Sequence, residues 1–210
     1  MKKSILKLAV IATAVVMLAS CGSSPKGLPE NDIFGKVPSI IYQYEQQDSI
    51  IRANAGSANF LNPDDELKEK FKKAELKFKQ DMEKEGKRLE GRAIPFTLSE
   101  GLGYEVTSLK IQKVDDRGDV YVEYSVKLTD VSKIKFHYTG RISLSVQLIN
   151  KAGEVFSNDV YTADFKIDGV KNRSDLKAGM EFSGYQDIRI YSSDAKEYVD
   201  FAKIIFVEYK

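Results

Sequence analysis

The 210-residue chain has one cysteine, one histidine and no tryptophan. A single cysteine rules out an intramolecular disulfide, so the fold must rest on packing and hydrogen bonds alone. One histidine, His137, with one cysteine, Cys21, falls short of the three or four nitrogen and sulfur ligands that a zinc centre takes. A serine nucleophile served by His137 would need partners whose spacing the sequence gives no reason to expect. Charge of one sign is also missing, with 32 Lys and Arg against 31 Asp and Glu, so nucleic acid is not an expected partner. No nucleotide, cofactor or catalytic motif is present. The expectation is therefore a protein without cofactor or enzymatic activity.

What is there begins at the first residue. Lys2, Lys3 and Lys7 precede an apolar run from Leu8 to Ala19 that is too short to cross a hydrocarbon core of about 30 Å. This is the pattern of a cleaved signal peptide over residues 1–20. It ends in Leu18-Ala19-Ser20-Cys21, which resembles the bacterial lipobox at all four positions. The resemblance implies a bacterial lipoprotein. The Cys21 thiol would receive a diacylglycerol, cleavage would follow Ser20, and the new amino group would be acylated. Two or three acyl chains, at about 0.8 kcal/mol per buried methylene, make a stable membrane anchor. By analogy with lipoprotein sorting, Gly22 in place of Asp favours the outer membrane, and the absence of an acidic run after Cys21 favours its periplasmic face. Without Lys2, Lys3 and Lys7 the mature chain keeps 29 basic residues against 31 acidic ones.

Residues 21–37 are rich in Gly, Ser, Pro and Lys and read as a lipidated tether of about 20 to 25 Å mean span. Residues 38–92 read as a helical segment. Ile40, Ile41, Tyr44 and Ile51 fall at helical spacing and predict a helix from about Ser39 to Ala55, before Gly56. A second helix should run to about Glu90, with Asn62 as cap, Pro63 in its first turn and Asp64, Asp65 and Glu66 complementing its dipole. Leu67, Phe71, Ala74, Phe78, Met82 and Leu89 make its apolar stripe. Glu66–Lys70, Glu69–Lys73 and Glu75–Lys79 are spaced for ion pairs on a solvated face.

From Ala93 the period changes to two, and residues 93–210 read as an all-β domain. Ile94, Phe96 and Leu98 alternate. Tyr104 to Val114 and Val120 to Leu128 form a long hairpin, with a phase slip between Val106 and Leu109 that predicts a bulge. Further strands are expected over Phe136 to Leu148, from Val155 and Phe156, over Tyr161 to Ile167 and over Met180 to Tyr191. Ser193 to Asp200 suits one helical turn, and Lys203 to Tyr209 is apolar on both faces, as in a central strand. The fold class is α+β: a pair of helices followed by an antiparallel immunoglobulin-like sandwich. The Cys, Trp, Cys hallmark of that family is absent, so the analogy is one of architecture.

Few residues stand out for chemistry. Asp115, Asp116 and Asp119 crowd one turn and are candidate ligands for a calcium ion, although their spacing does not match the known calcium loop and turn preferences explain them. Arg117-Gly118-Asp119 resembles the adhesion tripeptide, on three residues only. Tyr185, Asp187, Arg189 and Tyr191 mix rings with polar groups and are the candidate ligand surface. The leading expectation is an envelope lipoprotein whose sandwich binds a protein or glycan partner. The alternative is a polysaccharide-cleaving enzyme with two carboxylates opposed across a groove.

Overall fold

The structure, a computed structural model, describes residues 26–61, 63–137, 141–155, 161–167 and 169–208, and the side chains of all of these except 56–61, 137 and 161–166. Cys21 and the lipobox lie outside the described residues. Among the described residues two helices, α1 (Val37–Leu61) and α2 (Asp65–Leu89), form a hairpin ahead of eight strands. No described helix is long and apolar enough to cross a membrane.

Helix α1 runs through Gly56, which was expected to stop it; one interior glycine costs only about 1 kcal/mol relative to alanine. The N-cap of α2 is Asp64 and not Asn62, because the Asp64 carboxylate reaches forward to accept the Leu67 amide at 2.8 Å. Leu67, Ala74, Met82 and Leu89 of the expected stripe are buried. The pairs Glu66–Lys70 (2.6 Å) and Glu75–Lys79 (2.8 Å) form on the exposed side.

The strands are β1 (Phe96–Leu98), β2 (Tyr104–Val114), β3 (Val120–Leu128), β4 (Phe136–His137), β5 (Arg141–Asn150), β6 (Tyr161–Lys166), β7 (Glu181–Ile188) and β8 (Phe201–Val207). One sheet has the order β2-β3-β7, and its β2–β3 register slips between Val106 and Ser108, where the apolar phase slips in the sequence. The other sheet centres on β5. Strand β6 pairs with residues 141–146 of β5, while β4 pairs with 141–142 and β8 with 145–150. Since a strand has two edges, β4 and β8 share the edge opposite β6. A short 3-10 turn, Glu197–Asp200, leads into β8, which lies between β1 and β5 as its two-sided apolarity predicts. Around Val155 the described residues show a single bridge to Ile149, and Phe156 lies outside them.

Leu109, Val122, Tyr124 and Ile188 from the first sheet pack against Leu144, Val146, Ile204 and Phe206 from the second, so the domain is a two-sheet sandwich. One pairing departs from the antiparallel expectation: β1 runs parallel to β8. The chain first joins the other sheet, where the Ile94 amide donates to Leu109 O (3.0 Å) and the Ile111 amide to Arg92 O (2.9 Å). It then crosses at Pro95 to β8. More than a hundred residues separate these two strands in sequence, so no tight turn dictates an antiparallel sense.

The helical hairpin sits on the tip of the β2–β3 hairpin. Gly118 there has φ +90°, and a Cβ on it would come within 2.9 Å of Ile41 Cδ1 and 3.2 Å of Met82 Cε. The segment expected to be tether is also part of this assembly from Asn31 to Val37. Phe34 and Val37 are fully buried, and the Phe34 ring stacks on Phe201 at 4.5 Å. The Gly, Ser and Pro content of residues 22–29 hid three large apolar residues at positions 33, 34 and 37, which is enough to bind a segment to a core.

A candidate ligand cleft between the helices and the sandwich

The β2–β3 turn owes its shape to Asp115. Its Oδ1 accepts the amides of Arg117 (2.9 Å) and Asp119 (3.0 Å), and its Oδ2 accepts the Arg117 guanidinium at 3.1 Å. Burial pulls this carboxyl up, but the two amides and Arg117 outweigh burial and hold it below the ordinary aspartate range. Asp119 moves the other way: burial first, then the neighbouring Asp115 carboxylate, push it up against the opposing pull of Arg189 and Arg117. Each carboxylate is thus committed to turn geometry or to arginine. Among the described residues no group of three acidic, histidine or cysteine side chains is placed to hold a metal ion.

Asp119 joins this turn to the end of β7. Its Oδ2 lies 3.4 Å from Arg117 and 3.8 Å from Arg189, and Arg189 in turn holds Asp187 at 3.1 Å. The candidate calcium turn and the candidate ligand surface are therefore one ladder of alternating charge, Asp115, Arg117, Asp119, Arg189 and Asp187. The sequence separates its halves by some seventy residues; the antiparallel pairing of Val120 with Ile188 brings them together.

The middle of this ladder, Arg117, Asp119 and Arg189, forms part of one wall of an open cleft of about 710 Å³. The opposite wall is helical: Ile41, Tyr44, Glu45 and Asp48 from α1, and Glu75, Phe78 and Lys79 from α2. Asp116, Arg117, Asp119 and Arg189 to Ser192 complete it. The Tyr44 and Phe78 rings meet at 4.6 Å at its helical side. Burial, followed by the carboxylates of Asp48 and Glu75, raises the Tyr44 hydroxyl, which stays protonated and able to donate. The basic groups are engaged, Lys79 with Glu75 and both arginines in the ladder, and acids outnumber bases among the lining residues.

Comparison with protein-family models, curated proteins and solved structures finds no match. The site must be read from its own geometry. Of the candidate surface, Arg189 and Tyr191 line the cleft, and Tyr191 is 58% exposed. Asp187 orients Arg189 from outside it. Tyr185 is 65% exposed on the outer face of β7, opposite Glu123, and takes no part in lining the cleft. His137 pairs with Arg141 at the β4–β5 edge, in the sheet that does not carry this cleft.

The helical half of the cleft was not foreseen. Tyr44 and Phe78 sit in apolar helical patterns that read as core, and Glu75 and Lys79 read as a solvated ion pair. Only the docking of the helices on Gly118 turns them toward the ladder. The one available signal was Gly118 itself, a residue without a side chain at a hairpin tip where a second element comes close.

Proposed function

We propose that the chain is a lipid-anchored binding protein of the bacterial cell envelope, which holds a protein segment or a glycan in the cleft between its helical hairpin and its sandwich. The observation that carries this is the convergence of Tyr44, Tyr191, Arg189, Arg117 and Asp119 on one open cleft of about 710 Å³, within the usual range of roughly 300 to 1,000 Å³ for ligand sites. The exposed Tyr191 ring and the half-buried Tyr44 ring offer stacking surfaces, and the surrounding carboxylates and guanidiniums offer directional hydrogen bonds to hydroxyl or amide groups. The lipobox at Leu18-Ala19-Ser20-Cys21 supports the anchor. Gly22 supports the outer membrane, and the absence of an acidic run after Cys21 supports its periplasmic face. For the sandwich, an immunoglobulin-like reading draws support from the two packed, antiparallel-rich sheets, while the parallel pairing of β1 with β8 departs from it. It holds at the level of architecture, since β2 and β3 share a sheet whereas the immunoglobulin order places consecutive strands B and C in opposite ones.

The test is a binding screen of the full chain against envelope glycan fragments and peptides, read by calorimetry. Any ligand found should lose at least about tenfold in affinity when Tyr191 or Arg189 becomes alanine, as loss of a central aromatic or arginine contact does. A ligand whose affinity ignores both substitutions places binding elsewhere.

One observation favours a second reading. Glu45, Asp48 and Glu75 on the helical wall and Asp116 and Asp119 on the hairpin wall line the same cleft, the opposed carboxylates that polysaccharide hydrolysis needs, and Asp119 is the hairpin-wall acid that burial shifts upward against the pull of Arg189 and Arg117. A carboxylate-based hydrolase of polysaccharide would release reducing ends, and Asp119→Asn would abolish that release. If the wild-type chain releases none from envelope polysaccharides, this reading fails while binding stands.

A further inference from the structure

The route by which the chain enters the fold limits how an anchor can hold it. Gly27 lies so close to α1 that a Cβ on it would come within 2.5 Å of Ser39 Oγ and 2.8 Å of Gln43 Nε2. Leu28 packs on the core, and Asn31 is almost fully buried. Six residue steps separate Cys21 from Gly27, and however they are arranged they reach at most about 20 to 22 Å. A folded domain of roughly 180 residues has a radius of gyration of about 16 Å, so this leash is shorter than the domain is wide.

The leash also attaches on a particular side. At about 100° per residue, Ser39 and Gln43 point roughly 170° away around α1 from the mean direction of Ile41, Tyr44, Glu45 and Asp48, which line the cleft. Helix α2 repeats the division. Lys77 and Asp81 share a surface groove with Gln43, while Glu75 and Lys79 turn to the cleft, roughly 160° away around the helix axis; Tyr44 and Phe78 stand at the seam between the helices and border both. The helical hairpin is thus a wall two helices wide, with the leash on one flank and the cleft on the other.

We infer that the flank carrying Gly27, Gln43, Lys77 and Asp81 lies against the bilayer surface, and that the cleft opens away from the membrane. This rests on the reading of Cys21 as acylated. To bring the cleft to the bilayer, the leash would have to pass around α1, and half the circumference of a helix about 10 to 12 Å across, roughly 16 to 19 Å, uses nearly all of its reach. A cleft held outward meets ligands from the aqueous compartment and not membrane lipids.

The test uses the full, lipid-modified chain with nitroxide labels on Lys77→Cys or on Lys79→Cys, two exposed positions on opposite flanks of one helix. The protein is placed in phosphatidylethanolamine–phosphatidylglycerol vesicles that carry a nickel chelate on a lipid headgroup. Relaxation of the label by nickel should be severalfold stronger at position 77 than at position 79. Equal relaxation, or the reverse order, in a chain that floats with the vesicles overturns the orientation and leaves the anchor standing. A chain that does not float, and whose Cys21 thiol takes up label itself, overturns the anchor and the orientation with it.

Discussion

Asn31 uses every polar atom of its carboxamide inside the protein. Its Nδ2 donates to Val199 O (2.9 Å) and Phe201 O (2.8 Å), and its Oδ1 accepts the amides of Ile33 and Phe34, both at 2.8 Å. It fastens the entering chain to the start of β8, at 2% exposure. Asn31→Ala would strand two amides and remove a partner from two carbonyls. At about 1 to 3 kcal/mol per buried unsatisfied group, partly relieved by relaxation, the expected loss is about 2 to 4 kcal/mol in chemical denaturation. The Tyr104 hydroxyl is the opposite case. It is buried, its ring lies edge-on to Phe206, and it has no hydrogen-bond partner among the described residues. Burial alone raises its ionisation far above the ordinary tyrosine value. Tyr104→Phe should therefore be neutral or stabilising by up to about 1 kcal/mol, because the folded state no longer desolvates a hydroxyl that gains nothing there. A loss above 1 kcal/mol would show that the hydroxyl has a partner. Neither role is legible in the sequence, where Asn31 reads as tether and Tyr104 as one more alternating apolar residue.

At the scale of elements, periodicity sufficed wherever one element buries one face. The stripe of α2, the bulge between Val106 and Ser108 and the central position of β8 all follow from local pattern, because burial imposes a period of 3.6 or 2. Parallel β1 and the crossing at Pro95 did not follow, since they depend on which distant strand is left without a neighbour. The join between α1 and α2 depends on a charge that pattern treats as solvated. Glu85, buried on α2, accepts the Lys36 amide at 2.8 Å and both arms of Arg88. Burial pulls its carboxyl up, but Arg88 and the Lys36 amide outweigh burial and hold it below the ordinary glutamate range. A carboxyl depressed in the folded state contributes stability that is present above its unfolded value, about 4.3, and is lost as pH falls through the folded value. Glu85→Gln should thus be less stable than wild type at pH 7, by about 1 to 3 kcal/mol for loss of a charge-assisted pair. The gap should close as the pH is taken below about 4. A gap unchanged from pH 7 to pH 3 would mean that the carboxylate charge contributes nothing.

For the whole molecule, the decisive fact is that the core extends past the sandwich into the segment that precedes the helices. Composition reads residues 21–37 as one tether because Gly, Ser and Pro dominate its first half, while Ile33, Phe34 and Val37 are too few to make a period. Packing divides it near Gly27. The candidate cleft shares this logic: its hairpin half was visible as two unusual clusters, and its helical half exists only because Ile41 and Met82 close over Gly118. The sandwich and the helices should therefore unfold as one unit. A chain beginning at Lys26 keeps the Asn31 clamp and the Phe34–Phe201 stack, and should show one cooperative transition with the stability of the longer form. A chain beginning at Val37 loses both. Burying a large apolar side chain contributes about 1.5 to 3 kcal/mol, and the clamp adds its own share, so removal of Ile33, Phe34 and Asn31 should cost more than about 5 kcal/mol. That is the whole stability of many domains this size. The shorter chain should be unfolded or aggregated by circular dichroism, and if it melts like the longer one, the entering segment is a tether after all.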